Sequence, residues 1–233
     1  MRAAGRALAF GAQVFDILFR SGDASSPSAR ALGLYNASVA LCRSHGFDVR
    51  CRGHLPGGPV VIVANHLSWV DPLALASLTP SMPIAKGEIA DWPLVGDATR
   101  SLGVAFVRRG DAHSGARALK MALRALRRGV SVIGFPEGTT SRELLPFKRG
   151  MFGLAQLAGV PIVPAAITYA DPRIAWIGDD WFVPHYFRTV SRERTPVHIQ
   201  LGRPIAPTLA LRPEELAQLA RSRIADLTRR KLA

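Results

Sequence analysis

Apolar residues along this chain fall into short continuous runs separated by amphipathic stretches. PVVIVA at 59–64, VSVIGF at 130–135 and PIVPAAITY at 161–169 contain no charge, the pattern of strands covered on both faces. Shorter runs at Met82–Ala85 and Val104–Val107, together with HIQLGRPI at 198–205, predict three more strands. Between them the period lengthens to that of a helix, beginning near Pro72, over Asp91–Ser101, from Ser114 to Gly129, over Gly150–Ala158 and from Pro213 to Lys231. The stretch from Ser114 is the clearest of these. Leu119, Leu123 and Leu126 are its apolar positions, and Arg117, Lys120, Arg124, Arg127 and Arg128 are basic. Ser114 is the expected N-cap and Gly129 the stop. Strands alternating with helices predict an α/β fold built on a mixed, mostly buried central sheet flanked by helices.

The first 52 residues read differently. Leu8, Ala12, Phe15 and Phe19 share one helical face with Leu18 beside it, and Arg2, Arg6 and Arg20 can reach an interface. A second helical pattern runs from Ala29 to Ser44 with Leu32, Tyr35, Val39 and Cys42 on one stripe, after the turn-forming SGDASSPS at 21–28. Residues 1–52 are therefore expected to form an amphipathic helix pair, and residues 53–233 the α/β domain with its C-terminal helix. No apolar stretch reaches the ~18 residues of a membrane-spanning helix. An apolar face flanked by arginines fits a helix lying in the membrane interface instead.

Charge sharpens that expectation. The 233 residues carry 30 Lys and Arg against 17 Asp and Glu, a formal net charge of +13. An excess of this size points to anionic partners. No zinc-ligand spacing or aromatic RNA-binding strand is present, so a membrane surface or a phosphorylated substrate is favoured over nucleic acid. Cys42 and Cys51 are too few for a disulfide framework and suit no metal site. The expected location is the cytoplasmic face of the cell membrane, peripheral or monotopic.

Two polar segments leave buried runs in similar ways. NHLSWVD follows the first, and PEGTTS follows the strand that ends in Phe135. In α/β sheets such strand ends line the crevice where ligands bind. Asp71, followed by Pro72, suits a helix start, and Gly138 lets backbone approach a ligand closely.

Taken in order, NHLSWVD with four residues between His66 and Asp71, GVAFVRRG, FPEGTTS and VPIVPAAI resemble the glycerolipid acyltransferase family, over Val60 to Ile167. KGE at 86–88 is similar to that family's lysine-bearing segment. The resemblance implies transfer of a fatty acyl group from acyl-CoA or acyl carrier protein to a lysolipid hydroxyl, with no metal or other cofactor. It assigns His66 as general base oriented by Asp71, a pairing that suits the chemistry because a hydroxyl attacks only as its proton leaves. No G-x-S-x-G nucleophile motif is present. Glu137 matches an acceptor-site position and is expected to order its loop or to contact a hydroxyl or cation. Amides around Gly138 and Thr139 are candidate oxyanion donors. For the acceptor's anion, Arg108 fits F-x-R and Arg109 the preferred F-x-x-R, with Lys86 a further cation. Where many relatives have E-G-T-R, this chain has Thr140. Arg142, Lys148 or Arg149 must reach in, or the head group is not a phosphate monoester. The implied acceptor is a lysophospholipid of the 1-acylglycerol-3-phosphate type, with a lyso-ornithine lipid as the alternative. A non-catalytic basic lipid-binding protein is the reading from another class.

Overall fold

In the computed structural model, which describes residues 1–20, 26–178 and 180–229, the uncharged runs become the centre of one sheet. Its strands are β1 (Phe47–Arg52), β2 (Val61–Ala64), β3 (Ser81–Lys86), β4 (Ala105–Val107), β5 (Ser131–Gly134), β6 (Ile162–Tyr169) and β7 (Thr195–Leu201). They lie in the order β1-β7-β6-β2-β5-β3-β4. The five strands from β6 to β4 are parallel, whereas β7 runs antiparallel to β6 and carries β1 parallel beside it. The sheet is mixed, as its sequence pattern implied.

The eight helices are α1 (Arg2–Arg20), α2 (Pro27–His45), α3 (Val70–Ala76), α4 (Val95–Ser101), α5 (Ala112–Arg127), α6 (Gly150–Ala158), α7 (Phe182–Val190) and α8 (Pro213–Arg229), counted among the described residues. Side chains of β2 alternate between two cores. Val61 and Val63 join α5, α6 and α8 on one face, while Ile62 and Ala64 join α2, α3 and α7 on the other. This explains why the central strands read as unbroken apolar runs. Ile62, Ile133, Ile162 and Ile167 have no exposed surface, and burying each stabilises the fold by ~1.5–3 kcal/mol.

Several elements depart from expectation. Residues 47–52, expected within the helical pair, form edge strand β1. Its alternating Asp48, Arg50 and Arg52 hide the strand from a search for apolar runs, and such charges protect an edge from further pairing. Helix α7 was also unexpected: Pro184 sits where a helix pattern would be discounted, yet in the first turn it breaks no hydrogen bond. The α5 helix starts at Ala112 with Asp111 as its N-cap, accepting from Ser114 N at 3.0 Å. Ser114 Oγ instead accepts from Arg108 N at 2.9 Å. Helix α4 starts at Val95 rather than Asp91, because Gly87–Asp91 is a 3-10 turn and Pro93 follows it.

The N-terminal helices are both present. Ser26 caps α2 and Gly46, in the left-handed region at φ 72°, ends it. The stripe that α2 buries is Ala31, Leu34, Ser38, Leu41, Cys42 and His45, one position round from the one expected, and Leu32 is exposed. On α1 the expected apolar face, Leu8, Ala12 and Phe15, points outward while Val14 is buried. Arg6 turns inward rather than toward an interface: it donates to Val190 O and Glu193 O at 3.0 Å each. Arg2 stays at the surface, 3.4 Å from Glu193. The side chains of Phe19 and Arg20, the linker residues 21–25, and the expected helix end at Lys231 lie outside the described residues. No helix among the described residues is long and apolar enough to cross a membrane.

Candidate active site

β2 and β5 are hydrogen-bonded parallel neighbours, so the loops leaving their C-terminal ends emerge side by side. Asn65 continues β2 as a side-chain rung. Its Nδ2 donates to Ile167 O at 2.9 Å, and its Oδ1 accepts from Ile167 N at 2.8 Å. His66 follows, and its backbone is bonded to the second loop twice: His66 N donates to Glu137 Oε1 (2.9 Å), and Ser141 N donates to His66 O (2.8 Å). The other Glu137 oxygen accepts from Leu145 N at 2.9 Å. Glu137 is thus a buried clamp between loops. Burial pushes its carboxyl above the ordinary range, against the pull of the two amides.

The His66 imidazole stacks on Phe135, ring centres 4.1 Å apart at 22°. Its Nδ1 lies 2.8 Å from Asp71 Oδ2, with 17% of the histidine side chain exposed and none of the aspartate's. Asp71 Oδ2 also accepts from Leu67 N (2.6 Å) and Ser68 N (2.8 Å). Asp71 occupies the second position of α3, behind Trp69 at the cap, rather than being the N-cap itself. Its carboxylate reaches back to amides that precede the helix, so helix start and histidine orientation use the same oxygen.

Oδ1 receives one more donor that sequence reading missed. Tyr169, the last residue of β6, donates its hydroxyl to Asp71 Oδ1 at 2.5 Å. Burial first, and the Asp71 charge second, hold the phenol well above its ordinary pKa of 10.0, so it remains a donor. With four donors on two oxygens, the buried carboxylate is satisfied. Its position two residues beyond VPIVPAAI was the only available signal.

The cations separate. Arg108 forms a two-pronged pair with Asp91 (2.7 and 2.8 Å) at the surface. Arg109 instead donates to Gly138 O at 3.1 Å, which supports the F-x-x-R register geometrically. Lys148 Nζ lies 2.6 Å from where a Cβ on Gly138 would stand, and the backbone there, at φ +72°, is one that favours glycine. Lys86, at the end of β3, has its ammonium pKa lowered by burial and then by neighbouring Arg109 and Lys148. Arg109 and Lys148 therefore meet at Gly138, with Lys86 close enough to feel both charges. Arg149 is drawn off to Glu214 at 2.9 Å, and Arg142 is exposed, with no hydrogen bond or ion pair to His66 or Gly138 among the described residues. Thr139 and Thr140 are half-buried between Gly138 and the Ser141–His66 contact. The Gly138 amide is committed to Phe135 O at 3.0 Å, which removes it from the candidate oxyanion donors and leaves the Thr139 amide. Among the described residues, no cluster of His, Cys, Asp or Glu could hold a metal ion.

The arrangement can remove a proton beside a positively charged rim. The family model described as Acyltransferase matches residues 47–168, from the start of β1 to the residue before the last of β6. The chain is 38% identical over 191 residues to the lyso-ornithine lipid O-acyltransferase of Pseudomonas aeruginosa, covering 79% of this chain and 73% of that one. It is 37% identical over 118 residues to the 1-acyl-sn-glycerol-3-phosphate acyltransferase of Neisseria gonorrhoeae, covering 50% of this chain and 46% of that one. The crystal structure of the 1-acyl-sn-glycerophosphate acyltransferase PlsC from Thermotoga maritima superposes with a TM-score of 0.72. That likeness spans 99% of this chain and 95% of that one at 23% identity, and speaks for the fold.

Proposed function

Because this chain belongs to the acyltransferase family and acylates a lysolipid, we propose that its acceptor is a lysolipid whose headgroup carries an anion other than a phosphate monoester, with a lyso-ornithine lipid favoured. The donor in this reading is a fatty acyl thioester of coenzyme A or acyl carrier protein. The carrying observation is the His66–Asp71 pair, 2.8 Å apart, held beside the cations Lys86, Arg109 and Lys148.

The chemistry follows from these residues. With Nδ1–H donated to Asp71, the His66 Nε2 lone pair is free to take the proton of the acceptor's hydroxyl as its oxygen attacks the thioester carbon. Asp71 stabilises the imidazolium so formed. The Thr139 amide and the nearby cations oppose the negative charge that develops on the carbonyl oxygen. Collapse breaks the C–S bond, and His66 returns its proton to the departing thiolate. No step calls for a metal or a resident cofactor.

Thr140 favours the ornithine acceptor over the phosphate. A threonine hydroxyl cannot replace a guanidinium that grips a dianionic phosphate with two bonds. A lyso-ornithine lipid offers a carboxylate of a single charge, within the reach of Lys148 and Arg109. The Pseudomonas relative, matching most of the chain, agrees with this choice. A 1-acylglycerol-3-phosphate acceptor is the second reading, favoured by the same cluster of three cations and by the Neisseria relative. The enzyme works on this reading at the cytoplasmic face of the membrane. The outward apolar face of α1 (Leu8, Phe15) and the charge of +13 bring it to anionic lipid.

The test offers purified enzyme both acceptors with a radiolabelled acyl-CoA or acyl carrier protein. Faster acylation of the lyso-ornithine lipid, lost in His66→Ala, is expected. Undiminished transfer by His66→Ala would remove the mechanism, and preference for the phosphate acceptor would install the second reading.

A further inference from the structure

The segment between β6 and β7 has no part in the chemistry above, yet α7 is built against the catalytic loop. Its inner face carries Phe182, His185, Tyr186, Thr189 and Val190, four of them buried. Trp69, which lies between His66 and Asp71 in the chain, packs between this face and the sheet. Its ring is 5.7 Å from Phe182 and 5.5 Å from Tyr186, and its Nε1 donates to His185 Nδ1 at 3.1 Å. Just upstream of α7, Trp176 N donates to Leu67 O at 2.8 Å. Two residues of the His66–Asp71 loop are therefore fastened to this one segment.

The outer face is the anomaly. A helix lying on a globular protein normally turns polar residues to water. Here Trp181 is 80% exposed, Val183 60% and Phe187 41%, with Pro184 among them. Arg188 of α7 pairs with Asp180, just before the helix, at 2.9 Å. The apolar patch does not stand alone. Helix α1 packs on α7, and Arg6 of α1 donates to the carbonyls at the C-terminal end of α7, where a cation also opposes the helix dipole. On its own outer side α1 exposes Leu8 and Phe15. Two adjoining helices, joined by the partly buried Arg6 guanidinium, thus both present apolar side chains to solvent.

We propose that the outer face of α7 is a second membrane-contact surface, continuous with that of α1, whose occupant is the headgroup–acyl boundary of an anionic bilayer. Trp181 is the residue type suited to that boundary, with an apolar body and one polar N–H. The net charge of +13 supplies the attraction to anionic lipid that a protein partner of ordinary composition would not. The inference rests on the lysolipid reading in one respect: an acceptor held in a bilayer must meet His66 at its surface. Docking α7 sets that distance, since Trp69 and Trp176 connect the docked helix to the loop carrying the base.

Flotation with vesicles of phosphatidylglycerol and phosphatidylcholine tests it, using the full chain and the triple variant Trp181→Ser, Val183→Ser, Phe187→Ser. Affinity for the anionic vesicles is expected to fall at least tenfold although α1 is intact. Turnover of a water-soluble hexanoyl-chain acceptor should persist. Unchanged vesicle binding overturns the proposal. So does a variant that loses self-association in sedimentation while binding vesicles normally, since the face would then join two copies. If the triple variant does not fold, Trp181→Phe serves: the fluorescence it removes should be the part quenched by brominated lipid, and lack of quenching overturns the proposal. Absence of turnover with every acceptor would refute the functional reading alone, because vesicle binding is read without it.

Discussion

Tyr169→Phe removes a single oxygen and leaves the ring in place. The lost bond is the 2.5 Å contact to Asp71 Oδ1, whose side chain has no exposed surface. A hydrogen bond to a charged group contributes ~1.5–3 kcal/mol, and a buried acceptor left without it has no water to turn to. Stability should fall by that order, read as a shift in urea midpoint at unchanged slope. The kinetic consequence is more specific. With one donor gone, more of the Asp71 negative charge is available to the imidazole on Oδ2, so the protonated form of His66 gains stability. The acid limb of kcat/KM is therefore expected to move to higher pH. The assay is acyl transfer from acyl-CoA across pH 5–9 on wild type and variant. A merely structural tyrosine would lower stability and leave the limb where it was. Superimposable pH profiles would refute the reasoning.

Three further outcomes follow from the geometry. Arg109→Ala should raise KM for the acceptor at least tenfold, while Arg108→Ala, whose guanidinium is occupied by Asp91 at the surface, should change it little; initial-rate kinetics on both variants check this. Thr140→Arg should shift the ratio of kcat/KM at least tenfold toward 1-acylglycerol-3-phosphate, the worth of a charge-assisted pair, in a competition of the two acceptors. His45, fully buried with Nε2 2.9 Å from Tyr186 Oη, has its pKa lowered to about 4, chiefly by burial. Its folded value lies below the ordinary 6.5, so its neutral form gives full stability above pH 6.5, and stability declines as pH falls toward 4. The span corresponds to ~3 kcal/mol, and His45→Gln should flatten that limb in urea unfolding at stepped pH.

The residues explain what was legible and what was not. β2, β5 and β6 stood out because burial on both faces demands unbroken apolar runs. β1 did not, because an edge strand must carry charge. His66, Asp71, Glu137 and Gly138 lie within short local motifs, so resemblance could reach them. Tyr169 completes the dyad from 98 positions away, a relation set by the pairing of β2 with β6 and carried by no local spacing. The choice between Arg108 and Arg109 likewise needed Asp91, whose closeness follows from the turn after β3 lying beside β4. α7 was concealed by its own composition, aromatic on both sides, since helical periodicity is visible only when the outer face is polar.

The backbone around His66 is held by three separate agents: Asn65 bonded to β6, the His66 amide to Glu137, and the His66 carbonyl to Ser141. None of these contacts needs substrate. Ordering one residue's backbone costs ~1–2 kcal/mol, and here that ordering happens once, when the chain folds. In the proposed mechanism each catalytic cycle therefore begins with His66 already in place, and the search left to thermal motion belongs to the lipid alone. On that reading the enzyme's tempo is tied to how its acceptor drifts and tilts within the leaflet, and a more fluid bilayer is expected to quicken turnover without any change in the protein.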